Sequence, residues 1–297
     1  MDNETSSSLD PPVAKPAETP PYTMLTQGEL SVKSDFFGDA QIAPPTFPCT
    51  HLTRSQALVD LLSVAAALIA GQFLLGNVAQ LLKETLESTG EFFLNTILGV
   101  MTLAVVGLAL FLRRLSYSSV GLNRPSIGVL LISAAAAIPV CYMVTAAMGF
   151  MFLTFNYATG GANIEDVARQ REEFFAMVPD PSIATFVLFA AFTGLHEELL
   201  FRGFALPRLI ALFRYRWAGI LACSVLFGLA HNYQGTMSVF QTAGLGFVFC
   251  LVAVGTRSIW PAVIAHALFN AINLALIPVL RDMLPELINQ ISTQPSQ

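Results

Sequence analysis

Seven apolar runs alternate with short polar joints along most of the chain, at about residues 56–82, 92–115, 126–155, 182–213, 216–231, 238–255 and 259–280. A helix needs about 20 apolar residues to cross the hydrocarbon of a bilayer. Most of the runs reach that length. The fifth and sixth are short and read as tilted or cavity-lining. The pattern predicts an all-α polytopic transmembrane bundle of about seven to eight helices around a polar intramembrane cavity. Between the third and fourth runs, Asp166-Val167-Ala168-Arg169-Gln170-Arg171-Glu172-Glu173-Phe174-Phe175 has helical periodicity with mixed charge. An interfacial amphipathic helix and a solvated loop helix both suit that pattern.

The ends differ from the middle. Residues 1–50 are rich in Pro, Ser, Thr and acids, with Pro-Pro pairs at 11–12, 20–21 and 44–45. Such a composition cannot bury a core and predicts a disordered tail. Its acidic start, Met1-Asp2-Asn3-Glu4, is not that of a cleaved signal peptide. A transmembrane domain is expected over 51–285, with its polar stretches within 180–275, and a flexible end over 286–297.

Composition agrees with the pattern. Charged residues make up 12% and hydrophobic ones 54% of the chain, against roughly 25% charged in soluble domains. The net charge of −5 and the lack of a basic patch exclude a nucleic-acid partner. Cys49, Cys141, Cys223 and Cys250 lie far apart without CxxC spacing and read as buried small hydrophobes. Arginines at 54, 113, 114, 124, 208, 214, 216 and 257 fall on alternate joints, whereas the joints at 83–91 and 165–180 are acidic on balance. By the positive-inside rule this predicts an integral protein of the cytoplasmic membrane with a cytoplasmic N-terminus.

Against that background the stretch Leu195-His196-Glu197-Glu198-Leu199-Leu200-Phe201-Arg202-Gly203 is an anomaly. Ionisable groups inside a span are costly and mark a functional site. Glu198 and Arg202 stand at i, i+4 with the acid first, the favourable order for an ion pair. Glu197 points about 100° away and has no partner within the segment. One carboxylate is therefore assigned to structure and the other to chemistry. His231 closes the fifth run, and His266 shares a helix face with Asn270 in the seventh. His231 lies late in its run and His266 early, so their convergence requires tilting, helix breaks near Pro207 and Pro261, or other boundaries.

No Gly-x-Ser-x-Gly, activated cysteine, His-Glu-x-x-His or aspartate pair is present. A water nucleophile remains. A carboxylate in low dielectric is a strong proton acceptor, an imidazole can hold the same water, and an imidazole and an amide can donate to an oxyanion. That inventory suits peptide-bond hydrolysis.

Glu197-Glu198-x-x-x-Arg202, Phe227-x-x-x-His231 and His266-x-x-x-Asn270 resemble, in order and spacing, the three motifs of the CPBP family. This is the CAAX-protease and bacteriocin-processing (Abi) group of intramembrane proteases, which includes the type II CAAX prenyl endopeptidase. Ser258-Ile259-Trp260-Pro261 and Val120-Gly121-Leu122-Asn123-Arg124-Pro125 are also similar to family sequence, and the resemblance spans roughly 115–275. It implies an intramembrane endopeptidase acting on a peptide or protein at the bilayer. Glu197 would be the general base, His231 would position the water, His266 and Asn270 would form the oxyanion hole, and Glu198 with Arg202 would give structural support. Phe227 is read as packing, and His196 lies outside the signature. The resemblance favours a metal-free glutamate mechanism with no cofactor; the alternative is zinc on Glu197, His231 and His266, since two His and one Glu form a catalytic zinc set. A non-proteolytic immunity or scaffold protein, or a proton-coupled transporter, is the rival from another class, and no inverted repeat supports a transporter.

Overall fold

A computed structural model describes residues 47–48, 52–81, 90–161, 164–177 and 183–292. The described residues are helical, without strands, as the apolar runs predict. In chain order the helices are α1 (Arg54–Leu81), α2 (Gly90–Leu112), α3 (Ile127–Thr159), α4 (Ile164–Met177) and α5 (Ile183–Glu198). A π-helical segment, Leu199–Ala205, joins α5 directly to α6 (Leu206–Phe213). Then follow α7 (Arg216–Ala230), a 3₁₀ turn over Asn232–Gln234, α8 (Thr236–Thr256) and α9 (Trp260–Ser292).

Four helices among the described residues are long and apolar enough to cross a membrane: Arg54–Val78, Ile127–Thr159, Thr236–Thr256 and Trp260–Leu280. Thr96–Leu112 and Arg216–Ala230 are shorter apolar helices. Large apolar side chains such as Phe73, Phe111, Ile132 and Leu188 point outward. In water this would be a liability, but lipid is as apolar as the side chains themselves. The protein is an integral membrane protein.

Small residues decide which helices meet closely. A Cβ on Gly194 of α5 would stand 3.0 Å from the Ala267 nitrogen and 3.1 Å from the Val263 oxygen of α9. On Gly228 of α7 it would stand 2.5 Å from the Val239 oxygen of α8. Bare backbones thus bring α5 to α9 and α7 to α8, the pairs that carry the polar motifs. One core cluster joins Ala134, Ala137 and Cys141 of α3 to Leu245, Val248 and Phe249 of α8 and to Ala262, Ala265 and Phe269 of α9. Cys141, Cys223 and Cys250 are buried free thiols, as expected.

Three expectations change. Phe47 was placed in a loose tail, yet it is fully buried against Ala253, Ile259 and Val263. Its ring fills the space that a side chain at Gly121 would need. The rest of residues 1–46 lies outside the described residues. The end expected to be flexible from 286 is helical as far as α9 is described, through Ser292, and residues 293–297 lie outside the described residues. Leu284, Leu287, Ile288 and Ile291 continue an i, i+3, i+4, i+7 apolar pattern there. Arg208 was counted with the charges of a joint. It is instead buried within α6, where its Nε donates to Asp60 Oδ2 of α1 at 3.0 Å, while Asp60 Oδ1 accepts from Arg113 Nε at 2.7 Å. One acid between two arginines ties α1 and the end of α2 to α6.

Candidate active site

Helix α5 brings Glu197 and Glu198 to mid-bundle, and the adjoining π segment sets their surroundings. Its wider turn keeps residues 198 and 202 in line; such segments recur at functional sites. The Glu198 and Arg202 side chains are both 0% exposed, whereas that of Glu197 is 18% exposed. The division into a structural and an available carboxylate is visible in that difference.

Glu198 Oε1 accepts from Arg202 Nη1 at 2.7 Å and from His266 Nδ1 at 2.8 Å. Arg202 Nη2 donates to the Gly246 carbonyl of α8 at 3.2 Å. The guanidinium lies 4.2 Å from the Phe227 ring centroid and 5.2 Å from that of Phe249. Phe227 is therefore a packing residue with a second use, as a π face for a buried cation. His266 stacks on Phe249 at 5.0 Å and meets Phe227 edge-on at 5.9 Å. Its ring is held on both faces and at Nδ1.

His231 is the C-cap of α7. Its Nδ1 meets the Phe227 carbonyl at 2.8 Å, which folds the ring back one turn along the helix. That fold-back, with the close approach of α5 and α9, reconciles His231 with His266. Pro261 occupies the first turn of α9, where proline is compatible with a helix, and makes no break. Pro207 opens α6 just after the π segment.

Glu197 Oε2 stands 3.7 Å from His231 Nε2 and 3.8 Å from His266 Nε2. It is buried, and among the described residues no group hydrogen-bonds to it. A carbonyl only accepts, so His231 Nδ1 carries a hydrogen, and a ring with a single proton presents a bare Nε2. The Glu198 carboxylate imposes the same tautomer on His266. Two lone pairs and a carboxylate oxygen thus face one another, wide of a direct hydrogen bond and within the span of one bridging O–H donor. Asn270 lies one turn beyond His266 on α9, half-buried, with no hydrogen-bond partner among the described residues. His196 turns elsewhere: its Nδ1 meets the Phe192 carbonyl at 2.9 Å, and it lies beside Gly99 of α2.

The zinc alternative needs Glu197, His231 and His266 as a ligand set. Donors sharing a tetrahedral ion at 2.0–2.2 Å stand about 3.4 Å apart, closer than the spacings here. Among the described residues no group of three His, Cys, Asp or Glu is arranged to hold a metal. No step below is routed through one.

The π segment and the bond between Glu198 and His266 were not foreseen. The first has no signature in hydrophobic periodicity, and the second joins residues 68 apart in the chain. A carboxylate beside a free histidine elsewhere in the bundle was the available signal.

No curated protein and no solved structure matches the chain. Residues 179–272 match the family model described as Rce1-like, type II CAAX prenyl endopeptidase Rce1-like. This segment contains Glu197, Glu198, Arg202, His231, His266 and Asn270. Over this segment the match agrees with the resemblance to the CAAX-protease family drawn from the three motifs.

Proposed function

We propose that the protein is an intramembrane endopeptidase in which Glu197 and His231 activate a water and His266 and Asn270 stabilise the oxyanion. One observation carries this reading: an unpartnered, buried Glu197 oxygen within 3.7 and 3.8 Å of two imidazole nitrogens, both acceptors. A carboxylate oxygen with a bare nitrogen on either side suits a small O–H donor, which is water. Its oxygen attacks the carbonyl carbon, its proton passes to Glu197 or His231, and the carbonyl electron pair moves onto oxygen. Asn270 Nδ2 can donate to that oxyanion directly. His266 Nε2 donates to it when the ring enters the reaction carrying a proton on both nitrogens, the second taken from solvent before attack, with the Glu198 carboxylate facing the positive ring. Collapse breaks the C–N bond, and the held proton leaves with the amine.

The substrate is a peptide or protein at the bilayer. Arginines 54, 113, 114, 124, 214, 216 and 257 lie at or near helix ends that alternate crossing would put on one side of the membrane. Their clustering supports a cytoplasmic membrane location with that face, and the N-terminus, in the cytoplasm.

The test uses purified protein in nanodiscs against a peptide library. Glu197→Gln and His231→Ala should each lower cleavage by at least about 100-fold while thermal unfolding stays near wild type. Cleavage at wild-type rates by both variants would overturn the assignment.

A further inference from the structure

Helix α4 lies across the end of the bundle where α7 stops. Gln170 Oε1 accepts from the Thr236 backbone N–H at 3.2 Å, and Phe174 meets Tyr233 at 6.5 Å between ring centroids. The Tyr233 ring in turn stacks with His231 at 6.1 Å. Arg171 follows Gln170 on this helix and is half-buried. Its Nη2 donates to Gln241 Oε1 of α8 at 2.9 Å, and Gln241 Nε2 donates to the Thr145 carbonyl of α3 at 3.2 Å.

Arg171 differs from the two fully buried arginines in its partner. Arg202 pairs with Glu198, and Arg208 pairs with Asp60. Among the described residues no acid pairs with Arg171, and its remaining N–H groups have no acceptor. Burial holds its guanidinium below the ordinary arginine range. Thr145 Oγ1, on the residue whose carbonyl Gln241 holds, is also buried without a hydrogen-bond partner. A desolvated cation matched only to a neutral amide is costly unless an anion completes it.

We propose that Arg171 binds a carboxylate of the substrate peptide and thereby selects which peptides reach Glu197. This rests on the peptidase reading above. A guanidinium presents parallel N–H donors to a carboxylate, and Gln241 leaves most of them available. The carboxylate can be a chain terminus or an Asp or Glu side chain; both have the same chemistry.

Peptide pairs of one sequence separate the two sources: free against amidated C-terminus, and Glu against Gln within the sequence. Wild type should prefer one carboxylate form. Arg171→Gln should collapse that preference by about 10- to 100-fold in kcat/KM, the worth of a hydrogen bond to a charged group, mostly through KM. Arg171→Lys should restore part of it, and thermal unfolding of both variants shows whether α4 still packs. Collapse in the first pair assigns the terminus; collapse in the second assigns the side chain. Wild-type ratios in Arg171→Gln would overturn the proposal. Fluorescent-peptide binding to Glu197→Gln, with and without Arg171→Gln, gives a readout without turnover. Carboxylate-dependent binding through Arg171 with no cleavage by wild type would reject the peptidase reading and keep this site. Neither binding nor cleavage would reject both.

Discussion

The pair of Glu198 and Arg202 can be tested by separating its charge from its contacts. Arg202→Met keeps much of the side-chain volume and removes the cation. Glu198, whose side chain is 0% exposed, is then left as a buried carboxylate whose remaining hydrogen bond comes from His266. Removing one partner of a buried pair costs about 3–5 kcal/mol. The contact with the Phe227 ring at 4.2 Å is lost through the same atom group, worth up to about 2 kcal/mol when desolvated, and is not added on top. Arg202→Met and Glu198→Gln should therefore each lose about 3–5 kcal/mol. The double variant strands no charge and should lose less than either alone. Its turnover should nonetheless stay about 10- to 100-fold down, because the His266 Nδ1–H then faces an amide oxygen in place of a carboxylate. Unfolding by sodium dodecyl sulphate in mixed micelles, read by the fluorescence of Trp217 and Trp260, measures the stabilities, and peptide cleavage measures the rest. Losses in the double variant equal to the sum of the singles would refute the coupling. Full activity in the double variant would refute a positioning role for Glu198.

Other expectations follow from neighbouring contacts. Asp60→Asn removes the countercharge of Arg208 and Arg113 and should destabilise the protein by about 3–5 kcal/mol; a loss below about 1 kcal/mol in the same unfolding assay would show the cluster to be idle. Asn270→Ala should lower kcat by about 100- to 1000-fold with KM little changed, and a change in KM alone would remove Asn270 from the oxyanion hole. Chelators should leave cleavage intact; inactivation reversed by stoichiometric zinc would establish the metal alternative on Glu197, His231 and His266.

The helices were legible because lipid imposes a strong pattern. Runs of apolar residues end at polar joints, and the boundaries in the structure fall within a few residues of them, the end of α9 excepted. The candidate site stood out for a related reason, since a carboxylate, an imidazole or an amide inside such a run needs a partner or a task. Partners were harder to read. Asp60 and Arg208 are each conspicuous in an apolar run, but they meet across 148 residues, and nothing local in either helix names the other. Phe47 was hidden by composition: one aromatic among prolines and acids counts little in an average, although it fills the space over Gly121. The end of α9 was readable in its leucine and isoleucine spacing, which the polar tail beyond it masked.

The wider coil between Glu198 and Leu206 has a consequence for inheritance. It inserts a rotational offset between two ion pairs on one rod, Arg202 with Glu198 before it and Arg208 with Asp60 after it. Substitutions there that restored ordinary α winding would still leave a continuous greasy rod of nearly the same length. They would turn the downstream half by roughly 100° relative to the upstream half. One arginine or the other would then be aimed at lipid. Hydropathy would pass such a lineage, and chemistry would not.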